Sequence, residues 1–169
     1  MNLEIIYEDE AIIAINKASG IATHPSYMHF DNTLSNGVRF YFDVISLHKK
    51  IRPVNRLDLN TSGIVVFAKN EYVQENLIRQ MAAGTLKKEY LAICDGIFEF
   101  KKGTINQPIA RKDSSIIERC ISEDGKPSIT HYEVLEEFNR TFSCEMYFRN
   151  RSYSSDSCAY GFDWTPCFR

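Results

Sequence analysis

Residues 55–68 read NRLDLNTSGIVVFA. The second half, Ile64–Ala68, is a short apolar run. Such a run marks a strand covered on both faces, at the centre of a sheet. Thr61, Ser62 and Gly63 supply the turn before it. That turn does not require the arginine and aspartate ahead of it. A strand bounded by a turn is where a rigid sheet can present a polar side chain to a cleft. There Asp58 can act as a nucleophile, a general base or a metal ligand. Asp58 equally suits a cap for the turn from Asn60 to Gly63. Taken alone, Arg56 suits a salt bridge at the core edge, and Thr61 and Ser62 suit simple turn formers.

Outward from this stretch, alternating polarity and turn residues set out the other elements. Leu3–Tyr7 and Ala11–Asn16 read as strands joined by an acidic turn. Ile12 and Ala14 lie on one face of the second and Ile13 and Ile15 on the other, so it is expected between two layers. Lys17–Gly20 reads as a turn. Asp31–Thr33 can cap a helix from about Leu34, with Leu34, Val38, Tyr41 and Phe42 on its apolar side. The Tyr41 hydroxyl can reach the edge of that side, and Gly37 weakens the helix. Asn70 caps a second helix to about Ala83, with Val73, Leu77 and Met81 inward and Gly84 as its stop. KKEYLAICDGIFEF reads as two strands about an Asp95-Gly96 turn. ITHYEVLEEF resumes the strand pattern.

The whole chain has 169 residues, 44% of them apolar, which suffices for a folded core and argues against disorder. No stretch approaches the length of a membrane span. The N-terminus MNLEIIYEDE is acidic and does not read as a signal peptide. A cytoplasmic location and no membrane partner follow as expectations. The formal charge of −2 neither requires nor excludes a nucleic-acid partner. Five cysteines without a CxxC pair point to free thiols, with no disulfide framework and no zinc site. His24, His29, His48 and His131 have no recognisable nucleophile partner, and none is assigned chemistry.

Four pieces in order, IIYEDEAIIAINKASGIATHPS, RPVNRLDLNTSGIVVFAKN, KKEYLAICDG and, more weakly, INQPIARKD, give the chain a resemblance. It resembles the catalytic domain of the RluA-type RNA pseudouridine synthases over roughly Asn2 to Phe142. The resemblance implies an α+β fold, with a mixed, largely antiparallel sheet and packed helices. It implies isomerisation of uridine to pseudouridine in structured RNA, ribosomal or transfer, by a monomer that needs neither cofactor nor metal. Asp58 then resembles the catalytic aspartate, Arg56 the arginine that contacts RNA near the extruded nucleotide, and Tyr90 the aromatic that packs on the target base. Thr61, Ser62 and Gly63 would hold the loop. Asn55 stands where many relatives have histidine, a tolerated departure beside the substrate. Lys87 and Lys88, with Lys49, Lys50 and Arg52, can meet phosphates or form an ordinary solvated face. The chain opens on the resembling region, so the small RNA-binding domain that precedes it in many relatives is expected to be missing. Two alternatives remain: a non-catalytic RNA-binding remnant of the same fold, and an unrelated α+β domain in which Asp58 only caps a turn.

The resemblance fails at the C-terminus. The family continues with Leu-Glu-Thr-Gly-Arg-Thr-His-Gln-Ile-Arg-Val-His-Met, whose second arginine is expected to pair with the catalytic aspartate. This chain instead ends RNRSYSSDSCAYGFDWTPCFR, without strand or helix period. Reading each codon from about Ser143 one base later permits the family run without a gap. Phe148 then gives leucine, Ser152 arginine, Ser154 histidine, Asp156 isoleucine and Ser157 the second arginine. The expectation is a partial catalytic domain over residues 1–142 and an atypical, out-of-frame tail over 143–169. With its partner arginine and closing segment gone, such a chain is expected to be poorly folded or inactive. It should also leave a sheet edge and apolar surface exposed.

Overall fold

The computed structural model describes residues 1–27, 29–95, 98–112, 119–138 and 141–148, with residues 95, 138 and 141–148 described as backbone. The chain divides into two compact units, residues 1–80 and 81–169. Both carry antiparallel sheets, and the fold is the expected α+β class.

The first unit begins with β1 (Ile5–Glu8) and β2 (Ile12–Lys17). Asp9 sets the turn between them, its Oδ1 accepting from the Ala11 and Ile12 amides at 2.8 and 2.7 Å. Helix α1 (Leu34–Val44) follows, then the short β3 (Arg52–Pro53), β4 (Gly63–Ala68) and helix α2 (Glu71–Ala83), which runs past the division between the units. The strand order is β1-β2-β4-β3. β2 pairs with β4 from Ile12 opposite Ala68 to Lys17 opposite Gly63. As the apolar run predicts, β4 is internal to the sheet. Ile13, Ala14 and Ile15 of β2 are buried, and so are Val65, Phe67 and Ala68 of β4. Both faces of β2 are therefore covered, in keeping with its two-sided apolar pattern.

Both helix caps are legible in the residues. Thr33 caps α1, exchanging hydrogen bonds with Asn36 in a capping box, and Leu34, Val38 and Phe42 are buried. The Tyr41 hydroxyl donates to Glu8 Oε2 at 2.7 Å. Gly37 has a packing reason to be there: a Cβ would stand 2.9 Å from Leu3 Cδ2. Asn70 Oδ1 accepts from the Val73 amide at 2.9 Å and starts α2. The expected inward residues Val73, Leu77 and Met81 are only half-buried, and no residue of α2 is fully buried.

The second unit holds β5 (Glu89–Asp95), β6 (Lys102–Asn106), β7 (Ile109–Arg111), β8 (Arg119–Ile121), β9 (Ile129–Phe138) and β10 (Thr141–Phe148). One sheet has the order β5-β10-β9-β6, and β7-β8 form a separate ribbon. The hairpin expected within KKEYLAICDGIFEF does not form. β5 pairs with β10, from Asp95 opposite Thr141 to Glu89 opposite Tyr147, and Phe98–Phe100 are not in a strand. The Gly96 of the expected turn lies outside the described residues. A distant strand has taken the edge that local turn chemistry suggested for a neighbour. Ala92, Cys94, Tyr132 and Val134 form the buried cluster, with Phe98 against Tyr132 at 4.8 Å between ring centroids.

β10 is one continuous strand across the expected boundary at 142/143, while 149–169 lie outside the described residues. β5 lies at an edge of its sheet, and its Leu91 and Ile93 are 70% and 81% exposed.

Candidate active site

Five of the sequence-predicted site residues, Asn55, Arg56, Asp58, Thr61 and Ser62, lie in the segment that connects β3 to β4, and a sixth, Gly63, begins β4. The Val54 amide donates to Val66 O at 2.8 Å, laying the start of the segment along β4. The Asn55 side chain continues the attachment. Its Nδ2 donates to Ile64 O at 3.0 Å and its Oδ1 accepts from the Val66 amide at 2.9 Å. Asn55 thus spends both ends of its amide on β4, which explains how an amide fills this position. Leu57 is buried and anchors the segment in the core. On either side of it stand Arg56 and Asp58.

Asp58 opens the turn, its carbonyl accepting from the Thr61 amide at 3.1 Å. Its side chain is 31% exposed, and Oδ1 lies 3.9 Å from Arg56 Nη2. At that distance and exposure the ion pair contributes little to stability. It leaves both groups accessible. Thr61 is buried, and its Oγ1 has no hydrogen-bond partner. Ser62 is exposed. Gly63 has φ +126°, a backbone conformation that a side chain would strain, and it begins β4.

The segment is held from beneath by residues that the motif alone does not reveal. Lys17 is fully buried at the end of β2. Its Nζ donates to Ala18 O at 3.0 Å, Ile21 O at 2.7 Å and Leu59 O at 3.2 Å. All three ammonium donors are thereby used, one of them on the residue that follows Asp58. Burial pushes the Lys17 pKa down, and attraction to the Asp58 carboxylate opposes that shift. Gly20 N donates to Leu59 O at 2.8 Å and Ser19 Oγ to Asn60 O at 2.9 Å. Thr23 grips Leu57 at both ends: its hydroxyl donates to Leu57 O at 2.8 Å and accepts from Leu57 N at 3.2 Å. The stretch Lys17–Thr23, whose first four residues read as a turn, is therefore the bed of the Asp58 loop. The signal available was a lysine at the end of an otherwise apolar strand.

Tyr90, Lys87 and Lys88 belong to the second unit. Tyr90 is half-buried on the face of β5 that also carries Ala92 and Cys94. Lys87 is exposed and Lys88 half-buried just before that strand. Among the other cations, Lys49 and Lys50 are exposed, whereas Arg52 is paired with Glu71 at 2.7 Å. His131 Nδ1 lies 2.7 Å from Thr104 Oγ1, a cross-strand contact between β9 and β6. Among the described residues, no three His, Cys, Asp or Glu side chains converge as metal ligands, Cys94 and Cys120 are free thiols, and no helix is long and apolar enough to cross a membrane.

An accessible carboxylate on a doubly anchored loop, beside an accessible guanidinium, can attack or deprotonate an anionic substrate that the arginine holds. Comparison with known proteins gives this geometry a family. The model described as RNA pseudouridylate synthase matches residues 11–152. The chain belongs to that family. Relatives of this chain include the uncharacterized RNA pseudouridine synthases YhcT and YlyB of Bacillus subtilis. YhcT is 41% identical over 79% of this chain and 44% of its own length, and YlyB 36% identical over 82% and 46%. The ribosomal large subunit pseudouridine synthase D of Blochmanniella floridana is 36% identical over 80% of this chain and 43% of its own length. The chain thus spans about half the length of the curated relatives it matches. In fold it is similar to human RNA pseudouridylate synthase domain containing 1, with a TM-score of 0.74 and 24% identity over 90% of this chain and 62% of that one.

Proposed function

We propose that this synthase chain carries the aspartate half of an active site that isomerises uridine to pseudouridine in structured RNA, with Asp58 as the catalytic group. The observation that carries the reading is the double fastening of the Asp58 loop, from β4 through Asn55 and from β2 through Lys17. A carboxylate carried on a backbone fixed in this way needs little reorganisation of its loop when the substrate arrives.

The reaction breaks the bond between N1 of uracil and C1′ of ribose. The base turns, C5 joins C1′, the proton on C5 leaves, and N1 takes up a proton in its place. Product and substrate are isomers, so no redox partner or group donor enters the balance. The target base must first leave its stack, at a cost of a few kcal/mol. In this reading Arg56 holds RNA beside the vacated position, and the base packs on an aromatic side chain, the role that the resemblance gives Tyr90. Asp58 then attacks the base or the ribose. Lys87, Lys88, Lys49 and Lys50 meet phosphates. Ribosomal RNA is the favoured substrate, because relatives of this chain are named for the large ribosomal subunit.

Residues 143–169 are proposed to be the out-of-frame product of the gene for the complete enzyme, with Ser157 at the place of the arginine that pairs with Asp58. The account is tested by reading the source gene through the codons for Arg140 to Arg169 and assaying both products. The frame-restored protein should form pseudouridine in ribosomal or transfer RNA, and the chain as written should not. A frame-restored protein inactive on both RNA classes overturns the functional reading. Normal turnover by the chain as written overturns the account of the tail.

A further inference from the structure

The loop from Thr23 to Thr33 is closed at its neck. Leu34 N donates to Ala22 O at 2.8 Å, Ser35 N to Thr23 O at 3.0 Å, and Ser35 Oγ to Thr23 O at 2.8 Å. The two ends of the loop are thus fastened to each other before α1 begins. Further out, Ser26 N donates to His29 O at 2.9 Å and His29 N to Ser26 O at 3.0 Å, which closes a second, smaller turn. A compact surface loop whose ends meet is a common carrier of function. The neck also has a location. Thr23 holds both backbone groups of Leu57, the residue between Arg56 and Asp58.

This pinned loop exposes two aromatic rings. Tyr27 is 90% exposed and Phe30 is 64% exposed. Single exposed apolar residues are ordinary. Two rings on one loop, interleaved with His24 and His29 and fastened next to an accessible arginine, are not explained by the core. Rings on a loop whose ends are fastened lose less freedom on stacking than rings on an open one, and aromatic faces receive unstacked bases whatever their sequence.

The geometry points to Tyr27 and Phe30 as a second RNA-contact element, whose rings stack on unpaired nucleotides flanking the target uridine. This rests on the reading of the substrate as RNA. It adds a contact made before and outside the chemistry, one that selects single-stranded or loop uridines over paired ones. The rings act on binding, while Asp58 acts on turnover.

The test uses the full chain and two RNA probes, a uridine-containing hairpin loop and a fully paired duplex. Affinity is measured by fluorescence anisotropy, and folding of every variant is checked by circular dichroism. Tyr27→Ala with Phe30→Ala should weaken hairpin binding roughly tenfold or more, from the loss of one to two base stacks. Duplex binding should be unchanged. Tyr27→Phe and Phe30→Tyr, which keep the rings, should bind the hairpin like the parent. In the frame-restored protein the double alanine variant should raise KM and leave kcat. Unchanged hairpin affinity in a folded double variant overturns the inference and leaves the functional reading intact. An equal loss on hairpin and duplex also overturns it, since stacking on unpaired bases cannot produce that. Failure of the parent chain to bind either RNA overturns it too. Aromatic-dependent binding without isomerisation by the frame-restored protein supports the loop and defeats the functional reading instead.

Discussion

The two four-stranded sheets among the described residues use the same antiparallel pairing for different ends. In the first, β2 is covered on both faces, and β4 is covered by Val65 and Phe67 on one face but leaves Ile64 55% exposed on the other, against the two-sided burial its apolar run suggests. Lys17 at the end of β2 is fastened to the Asp58 loop. In the second, β5 buries Ala92 and Cys94 on one face and leaves Leu91 and Ile93 bare on the other. The first sheet places a site; the second keeps an apolar surface at its edge. A buried lysine is tolerated in the first because its three donors are all used. Such a group fixes a loop in one position, which apolar packing alone does less specifically.

The comparison breaks most directly at the cores. Phe67→Ala in β4 should cost about 3–5 kcal/mol in urea unfolding, because a fully buried ring leaves a cavity. Leu91→Ala in β5 should cost no more than about 0.5 kcal/mol, as exposed positions do. Similar losses at the two positions would mean that the second sheet is covered after all. Lys17→Met tests the loop bed. Removing the ammonium takes the donor from the carbonyls of Ala18, Ile21 and Leu59, of which Leu59 O keeps the Gly20 amide, at about 1–3 kcal/mol for each one left without a protein or water partner. The variant should unfold at lower denaturant and show faster hydrogen exchange at Thr61, whose amide closes the Asp58 turn.

A smaller effect separates the first unit by pH. Burial raises the Glu8 pKa, but hydrogen bonds from Lys69 and Tyr41 and the charge of Lys69 outweigh it, so the net shift is downward. A lowered carboxylate pKa gives stability that is complete above the unfolded-state value and is lost as pH falls through the folded value. Denaturant midpoints should therefore fall as pH drops below the ordinary glutamate range. Glu8→Gln should flatten part of that slope. The smallest stability effect belongs to Leu91→Thr with Ile93→Thr. Unfolding should move by no more than about 0.5 kcal/mol, while light scattering on concentration should fall.

Much of this architecture is legible because the signals are local. The two-sided apolar runs mark β2 and β4, the period-two pattern of ITHYEVLEEF gives β9, and Thr33 and Asn70 announce their helices by capping chemistry. What escapes reading is set at long range. The partner of β5 comes from residues 141–148 rather than from the nearby Phe98–Phe100, so a turn-based hairpin is the wrong neighbour. At the site, Asp58, Arg56 and the Thr-Ser-Gly turn stand out in the chain. Lys17 and Thr23 do not, because their roles depend on reaching Leu57 and Leu59 more than thirty residues away. The role of Asn55 lies between: its place beside the motif is visible, and its grip on β4 is not.

The central claim is that the fastened carboxylate of Asp58 performs the isomerisation. The direct measurement is single-turnover pseudouridine formation by the frame-restored protein and its Asp58→Asn variant, with RNA affinity followed in parallel. Asparagine keeps the size and the turn but cannot act as nucleophile or base. The account predicts RNA binding within about twofold of the parent and a rate lowered by at least roughly 10³-fold. A variant that binds RNA and still forms pseudouridine at the parental rate would contradict it and reduce Asp58 to a turn residue.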